Sequence, residues 1–124
     1  MKPKVIITAY AHPCLQEELI QRGFDVDVRE KIGYDELLDQ IHFYHGLVVT
    51  TRIKVDQQLL DAATQLKWIG RLGSGMEIID VDYAVQKNIL CASTSCNYNY
   101  YYNSIFIKKA QDFLELFTFI IFLN

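Results

Sequence analysis

Between Lys4 and Thr94 the chain alternates short β-branched runs with stretches whose apolar residues recur at helical spacing, and that beat admits few architectures other than α/β. Val5-Ile6-Ile7, Leu47-Val48-Val49, Trp68-Ile69 and Ile89-Leu90 sit in continuous apolar runs, as expected of parallel strands buried on both faces. Asp25-Val26-Asp27-Val28-Arg29 alternates polar with apolar, which suits a strand at the sheet edge. Leu15, Leu19 and Ile20 form one apolar helical stripe, with Gly23 placed to cap its C-terminus. Tyr34, Leu37, Leu38, Ile41 and His45 mark a second helix, with Asp35 and Glu36 suited to its positive N-terminal end. Leu59, Leu60 and Ala63 suggest a third helix; Val81, Ala84 and Val85 suggest a short fourth, opened by Asp80 as N-cap. Five strands joined by right-handed helical crossovers make a flavodoxin-like, doubly wound parallel sheet in the order 2-1-3-4-5.

Beyond Thr94 the texture changes. From Asn97 to Asn124, 19 of 28 residues are Asn, Tyr, Ile, Phe or Lys, against 23 of the 96 before, so this stretch reads like translated A/T-rich DNA. The alternative is an added amphipathic helix from about Ser104, since Phe106, Ala110, Phe113, Leu114 and Phe117 fall near one face. The expected organisation is a flavodoxin-like domain over residues 1–94 and an atypical C-terminal tail over 95–124. Lys108, Lys109, Asp112 and Glu115 interrupt the apolar run, so a membrane span is not expected.

With 51% apolar residues the chain can bury a core, and its 124 residues suit one domain. A net charge of −3 without a basic run argues against nucleic acid as a partner. Cys14, Cys91 and Cys96 show no C-x-x-C pair and no histidines at metal spacing, so neither a zinc site nor a disulfide framework is expected. Pro3 precedes only a short apolar run, unlike a signal peptide, and the expectation is a cytoplasmic protein with reduced thiols.

Ligands of open α/β sheets bind at the carboxyl ends of the strands. Those ends present Thr8 to His12, Thr50-Thr51-Arg52, Gly73-Ser74-Gly75 and Thr94. In Gly70-Arg71-Leu72-Gly73-Ser74-Gly75, glycines flank a small hydroxyl residue directly after a buried strand, which either lets bare amides approach an anion or merely makes a tight turn. It is not a dinucleotide fingerprint, because a G-x-G-x-x-G read from Gly73 meets Ile78 where glycine is required. Thr51 and Arg52 either supply a hydroxyl and a guanidinium to the same anion or face solvent. The binding candidates are thus Thr51, Arg52, Gly73, Ser74 and Gly75. His42 and His45 read as half-buried helical residues, and Cys14 and Cys91 as small core hydrophobes.

The stretch Lys67 to Thr94, KWIGRLGSGMEIIDVDYAVQKNILCAST, closely resembles the N-terminal part of the D-isomer-specific 2-hydroxyacid dehydrogenases, in particular the phosphoglycerate dehydrogenase-like branch, and GLVVTTRIKVDQQLLDAA extends the likeness upstream to about Lys4. The resemblance implies an oxidoreductase substrate domain paired with an NAD-binding Rossmann domain. It also implies that amides of the Ser74-Gly75 loop hold a substrate carboxylate near Thr50 and Thr51. Phosphoglycerate-specific relatives commonly place Arg then Ser where Thr50 and Thr51 stand, and often Asn at Ile78. The family's cofactor loop and its catalytic Arg, Glu and His lie downstream, so the resemblance assigns no catalytic residue here, and no glycine follows Gly75. The expectation is a truncated or frameshifted domain, inactive alone, that takes a small 2-hydroxy or 2-keto acid and binds no NAD by itself. The alternative is a non-catalytic interaction module that forms a homodimer through its C-terminal helix, motivated by the apolar run from Phe113 to Phe122.

Overall fold

The computed structural model describes residues 2–11, 13–73 and 76–93. In chain order these form β1 (Lys4–Ile7), α1 (Pro13–Gln21), β2 (Asp25–Val28), α2 (Tyr34–Gln40), a 3-10 turn (Ile41–Phe43), β3 (Gly46–Val49), α3 (Gln57–Ala62), β4 (Trp68–Arg71), α4 (Val81–Gln86) and β5 (Leu90–Ser93). All neighbouring strands are parallel, and the sheet runs β2-β1-β3-β4-β5, the order that the beat of the sequence predicts. The alternating strand β2 lies at the sheet edge, whereas β1, β3 and β4 are central and buried nearly throughout.

Alternation of side chains across the pleat divides the core in two. One face carries Val5, Ile7, Val48, Trp68, Leu90 and Ala92, packed with Leu15 and Leu19 of α1. The other carries Ile6, Leu47, Val49, Ile69 and Cys91, packed with Leu37, Leu59, Leu60 and Ala84 of α2, α3 and α4. Complete burial of each such aliphatic side chain contributes roughly 1.5–3 kcal/mol, so these layers dominate the stability of the domain.

The loops are fixed by local chemistry. Gly23, at φ +93°, closes α1: its N–H bonds Ile20 O and the Phe24 N–H bonds Leu19 O, both at 3.0 Å, which satisfies two orphan carbonyls. Asp56 caps α3 by accepting from Leu59 N at 3.0 Å, and Asp80 caps α4 by accepting from Tyr83 N at 3.1 Å. Gly46 has a packing reason: a Cβ there would lie 2.3 Å from Cζ2 of the fully buried Trp68 on the neighbouring strand. Phe24 meets the same indole edge-on, at 6.1 Å between centroids.

Four expectations need correction. Ile20 is 50% exposed, because it sits one residue off the stripe that Leu15 and Leu19 define. His45 is not helical: α2 tightens into the 3-10 turn, Tyr44 turns extended, and His45 approaches β3 with its N–H on Lys4 O and its Nδ1 accepting from Lys4 N. His42 lies in that turn and is exposed rather than half-buried. Arg71 belongs to β4, paired with Val49 and Ser93, and not to the loop that follows. Cys91 is buried as expected, and burial pushes its thiol up to about 12. The expected tail helix, the dimer it would mediate, His12, Ser74 and Gly75 lie outside the described residues, as does the side chain of Cys14. Among the described residues no helix is long and apolar enough to cross a membrane, and no three metal-ligating side chains cluster.

Candidate functional site

The carboxyl ends of β3 and β4 form the centre of the ligand-facing edge. Val49 and Arg71 are paired, and Leu72 N bonds Val49 O at 2.8 Å, so Thr51 and Gly73 each lie two residues beyond a paired position on adjacent strands. The register thereby brings together the two segments that the sequence singles out, Thr51-Arg52 and the loop beginning at Gly73. Thr51 is exposed. Gly73 holds φ +134°, a region from which side chains are largely barred, so glycine is a backbone requirement here.

Arg52 does more than face solvent. Its Nη1 donates to Thr8 O and its Nη2 to Ile32 O at 3.0 Å, which ties the loops after β1, β2 and β3 into one rim. A guanidinium has five N–H groups, so Nε and one hydrogen on each terminal nitrogen remain for an anion. Thr8 is buried, and its hydroxyl is spent on Val48 O at 2.8 Å, so it serves the sheet rather than a ligand.

Arg71, which the sequence pattern does not single out, lies against the same loop. It is 6% exposed and the one buried charged side chain among the described residues. Among the described residues its Nε has no partner, and its Nη1 donates to Leu72 O at 3.4 Å. A Cβ on Gly73 would come within 2.2 Å of that Nη1, so the guanidinium lies directly against the glycine of the loop. The available signal was an arginine closing an otherwise apolar strand run, where alternation points it to the same face as Ile69.

Beside this rim, a cavity of about 470 Å³ opens between the loops leading into α3 and α4, lined among others by Lys54, Asp56, Gln57, Glu77 and Asp80. Its floor is a single parallel bridge between Val55 and Ile79. Thr51, Arg52 and Gly73 do not line it. At its border the Tyr34 hydroxyl donates to Asp56 Oδ1 at 2.5 Å. That bond holds the Asp56 carboxyl below its ordinary value, while burial and the same bond push Tyr34 up to about 12.

The described residues do not fit a dinucleotide. The turn after β1, Thr8 to Pro13, holds no glycine, and Gly73 is separated from the start of α4 at Val81 by a loop with its own bridge to Val55. No glycine-rich turn therefore opens directly onto a helix N-terminus, the arrangement that cradles a pyrophosphate.

A five-stranded parallel sheet in this order, with helices between its strands, defines a domain of the doubly wound α/β class. Residues 5–99 match the family model of the D-isomer specific 2-hydroxyacid dehydrogenase catalytic domain, and the chain belongs to that family. It is 32% identical over 91 residues to D-3-phosphoglycerate dehydrogenase of Sus scrofa, covering 73% of this chain and 17% of that protein. The enzyme of the same name from Archaeoglobus fulgidus is 36% identical over 70 residues, covering 56% of this chain and 13% of that protein. Among solved structures, a protein of Pyrococcus horikoshii OT3 superposes with a TM-score of 0.70 at 27% identity, over 75% of this chain and 28% of its own. The NAD+-bound 3-phosphoglycerate dehydrogenase of Entamoeba histolytica shares the fold with a TM-score of 0.68 at 24% identity, over 76% of this chain and 33% of its own. The chain thus spans about a sixth of the length of its curated relatives.

Proposed function

We propose that this domain is the substrate-side wall of an NAD-dependent D-2-hydroxyacid dehydrogenase and that it receives the carboxylate of a small 2-hydroxy or 2-keto acid. The observation that carries the reading is the convergence of Thr51-Arg52 and Gly73 beyond adjacent paired positions at the carboxyl edge of a sheet of this family. Arg52, pinned by two carbonyls, offers its remaining N–H groups as a charge-assisted donor edge, and Thr51 adds a hydroxyl. In sequence, Gly73-Ser74-Gly75 sets a small hydroxyl residue between two glycines, a composition that favours close approach of an anion to backbone amides.

Hydride transfer needs a nicotinamide held against the substrate and a group that moves the proton. The described residues offer no dinucleotide cradle, so the reading assigns this wall the carboxylate and assigns the nicotinamide to residues outside it. The 124-residue polypeptide alone then binds the acid without consuming NADH. Amide chemical shifts at Thr51, Arg52 and Gly73 should move on addition of pyruvate or oxalate with a Kd of about 1 mM, and the absorbance of added NADH should stay constant. Steady NADH oxidation by this polypeptide, or amides unmoved by either acid, refutes the reading.

A further inference from the structure

We propose that Tyr10 is a specificity-determining residue: its ring is an apolar shelf for the C3 substituent of the acid, so that this wall selects 2-hydroxy or 2-keto acids with an aliphatic or aromatic C3 group over those carrying a phosphate there. This deepens the reading above and rests on it for where the carboxylate sits. The strand order reverses at β1, because α1 leads the chain to β2 on one side of that strand whereas β3 joins it on the other. The loops after β1 and β3 therefore flank the crevice where sheets of this class take their ligands. Tyr10 stands on the first of those loops, and Thr51 and Arg52 stand on the second.

The loop after β1 is pinned on both sides of Tyr10. Thr8 N donates to Val48 O at 3.0 Å, and Thr8 O accepts from Arg52 Nη1. Ala9 is buried, and Ala11 packs against the core face that carries Val5, Ile7 and Leu15. Between these fixed neighbours the Tyr10 side chain is 72% exposed, more than any other large apolar side chain among the described residues. Val28, also exposed, ends β2 opposite Ile7, so apolar surface continues along the same carboxyl edge, whereas the exposed Phe43 lies in the turn that leads into the amino end of β3. Tyr10 is two residues beyond the carbonyl that Arg52 holds, a reach of at most about 7 Å along the chain. Adjacent strands lie roughly 4.8 Å apart, so an acid whose carboxylate rests on Arg52 needs to extend only about one strand spacing to bring its C3 group onto the ring. Thr8 to Ala11 carry no charge to answer a phosphate, and Arg29, the cation after β2, pairs with Glu36 at 3.0 Å. A phenol ring gives an apolar group contact area and offset stacking, while its electron-rich face disfavours an anion.

The test titrates the 124-residue chain and its Tyr10→Ala and Tyr10→Phe variants, followed by amide chemical shifts, with three acids that share a carboxylate and a 2-hydroxyl and differ at C3: D-lactate, D-3-phenyllactate and D-3-phosphoglycerate. Because the side chain is exposed, both variants should keep the fold. The wild-type chain should bind phenyllactate roughly fivefold more tightly than lactate, and phosphoglycerate no more tightly than lactate. Tyr10→Ala should bring phenyllactate to within about twofold of lactate while leaving lactate unchanged, and Tyr10→Phe should keep the wild-type preference. A phenyllactate preference that survives Tyr10→Ala overturns the proposal, as does a wild-type chain that prefers phosphoglycerate or binds none of the three. Lactate bound equally by wild type and Tyr10→Ala, with no gain for phenyllactate, excludes Tyr10 while the carboxylate-binding reading survives. 2-Phenylethanol, which lacks the carboxylate, separates the two in the other direction: shifts that need Tyr10, together with no response to lactate or oxalate, would uphold the apolar shelf and refute the carboxylate reading.

Discussion

Gly46→Ala places one methyl group where the structure has no room for it. The new Cβ would lie 2.3 and 2.4 Å from Cζ2 and Cε2 of Trp68, against an ordinary van der Waals contact of about 3.5–4 Å. The indole is fully buried, with Phe24 against its edge, so it cannot swing away without displacing a second ring. Overpacking of this kind costs roughly 1–3 kcal/mol, and for a domain under 100 residues a loss of about 2 kcal/mol lowers Tm by roughly 8–16 °C. Trp68 is the sole tryptophan of the chain, so urea unfolding followed by its fluorescence reports stability and the displaced ring together. Gly33→Ala is the control, since nothing lies within 4 Å of a Cβ there, and it should change stability by less than about 0.5 kcal/mol. A Trp68→Phe background, followed by circular dichroism, should reduce the cost of Gly46→Ala by about 1 kcal/mol or more, because the smaller ring vacates the clash. Strict additivity of the two substitutions, or a Gly46→Ala chain as stable as Gly33→Ala, would show that the close approach is not what demands glycine.

Tyr34 and Tyr44 are both raised to about 12, chiefly by burial and by bonds to Asp56 and Asp27; their stability contribution is complete below pH 10 and lost as pH rises through 12. Alkaline difference absorbance should therefore show a late phase of phenolic ionisation, part of which disappears in Tyr44→Phe. Asp56 runs the other way: its lowered carboxyl stabilises the fold above pH 4 and ceases to as pH falls through its folded value. Asp56→Ala, which also removes the cap of α3, should cost roughly 1–2 kcal/mol at neutral pH and flatten the acid limb of a stability profile. Gly33 caps α2 without a side-chain bond, in open space and extended geometry, so Gly33→Ser should gain about 0.5–1 kcal/mol in urea unfolding.

Strand order was legible because the buried strands announce themselves as apolar runs and the edge strand as Asp25-Val26-Asp27-Val28. Gly23 and Asp80 were legible as caps because their roles need only one residue each. His45 was misplaced because its spacing from Tyr34 continues a helical period that the backbone abandons at Ile41, and only the register with Lys4 shows where it belongs. The candidate site was legible as a place: the carboxyl ends of β3 and β4 do bring Thr51, Arg52 and Gly73 together. It was not legible as a set of contacts. That Arg52 would bond carbonyls of Thr8 and Ile32, 44 and 20 residues away, depends on loop geometry that no local pattern encodes. The burial of Arg71 is likewise illegible, because a sequence shows that a charge is present but not how deeply the fold encloses it.

The bonds of Arg52 also govern how the rim can move. Because one side chain on the loop after β3 holds carbonyls of the loops after β1 and β2, none of the three can breathe without releasing the same guanidinium. Their backbone amides should exchange with solvent as one cooperative unit rather than at three separate rates. An anion that draws Arg52 toward itself would then loosen the two neighbouring loops in the same event, making ligand occupancy and rim mobility a single variable.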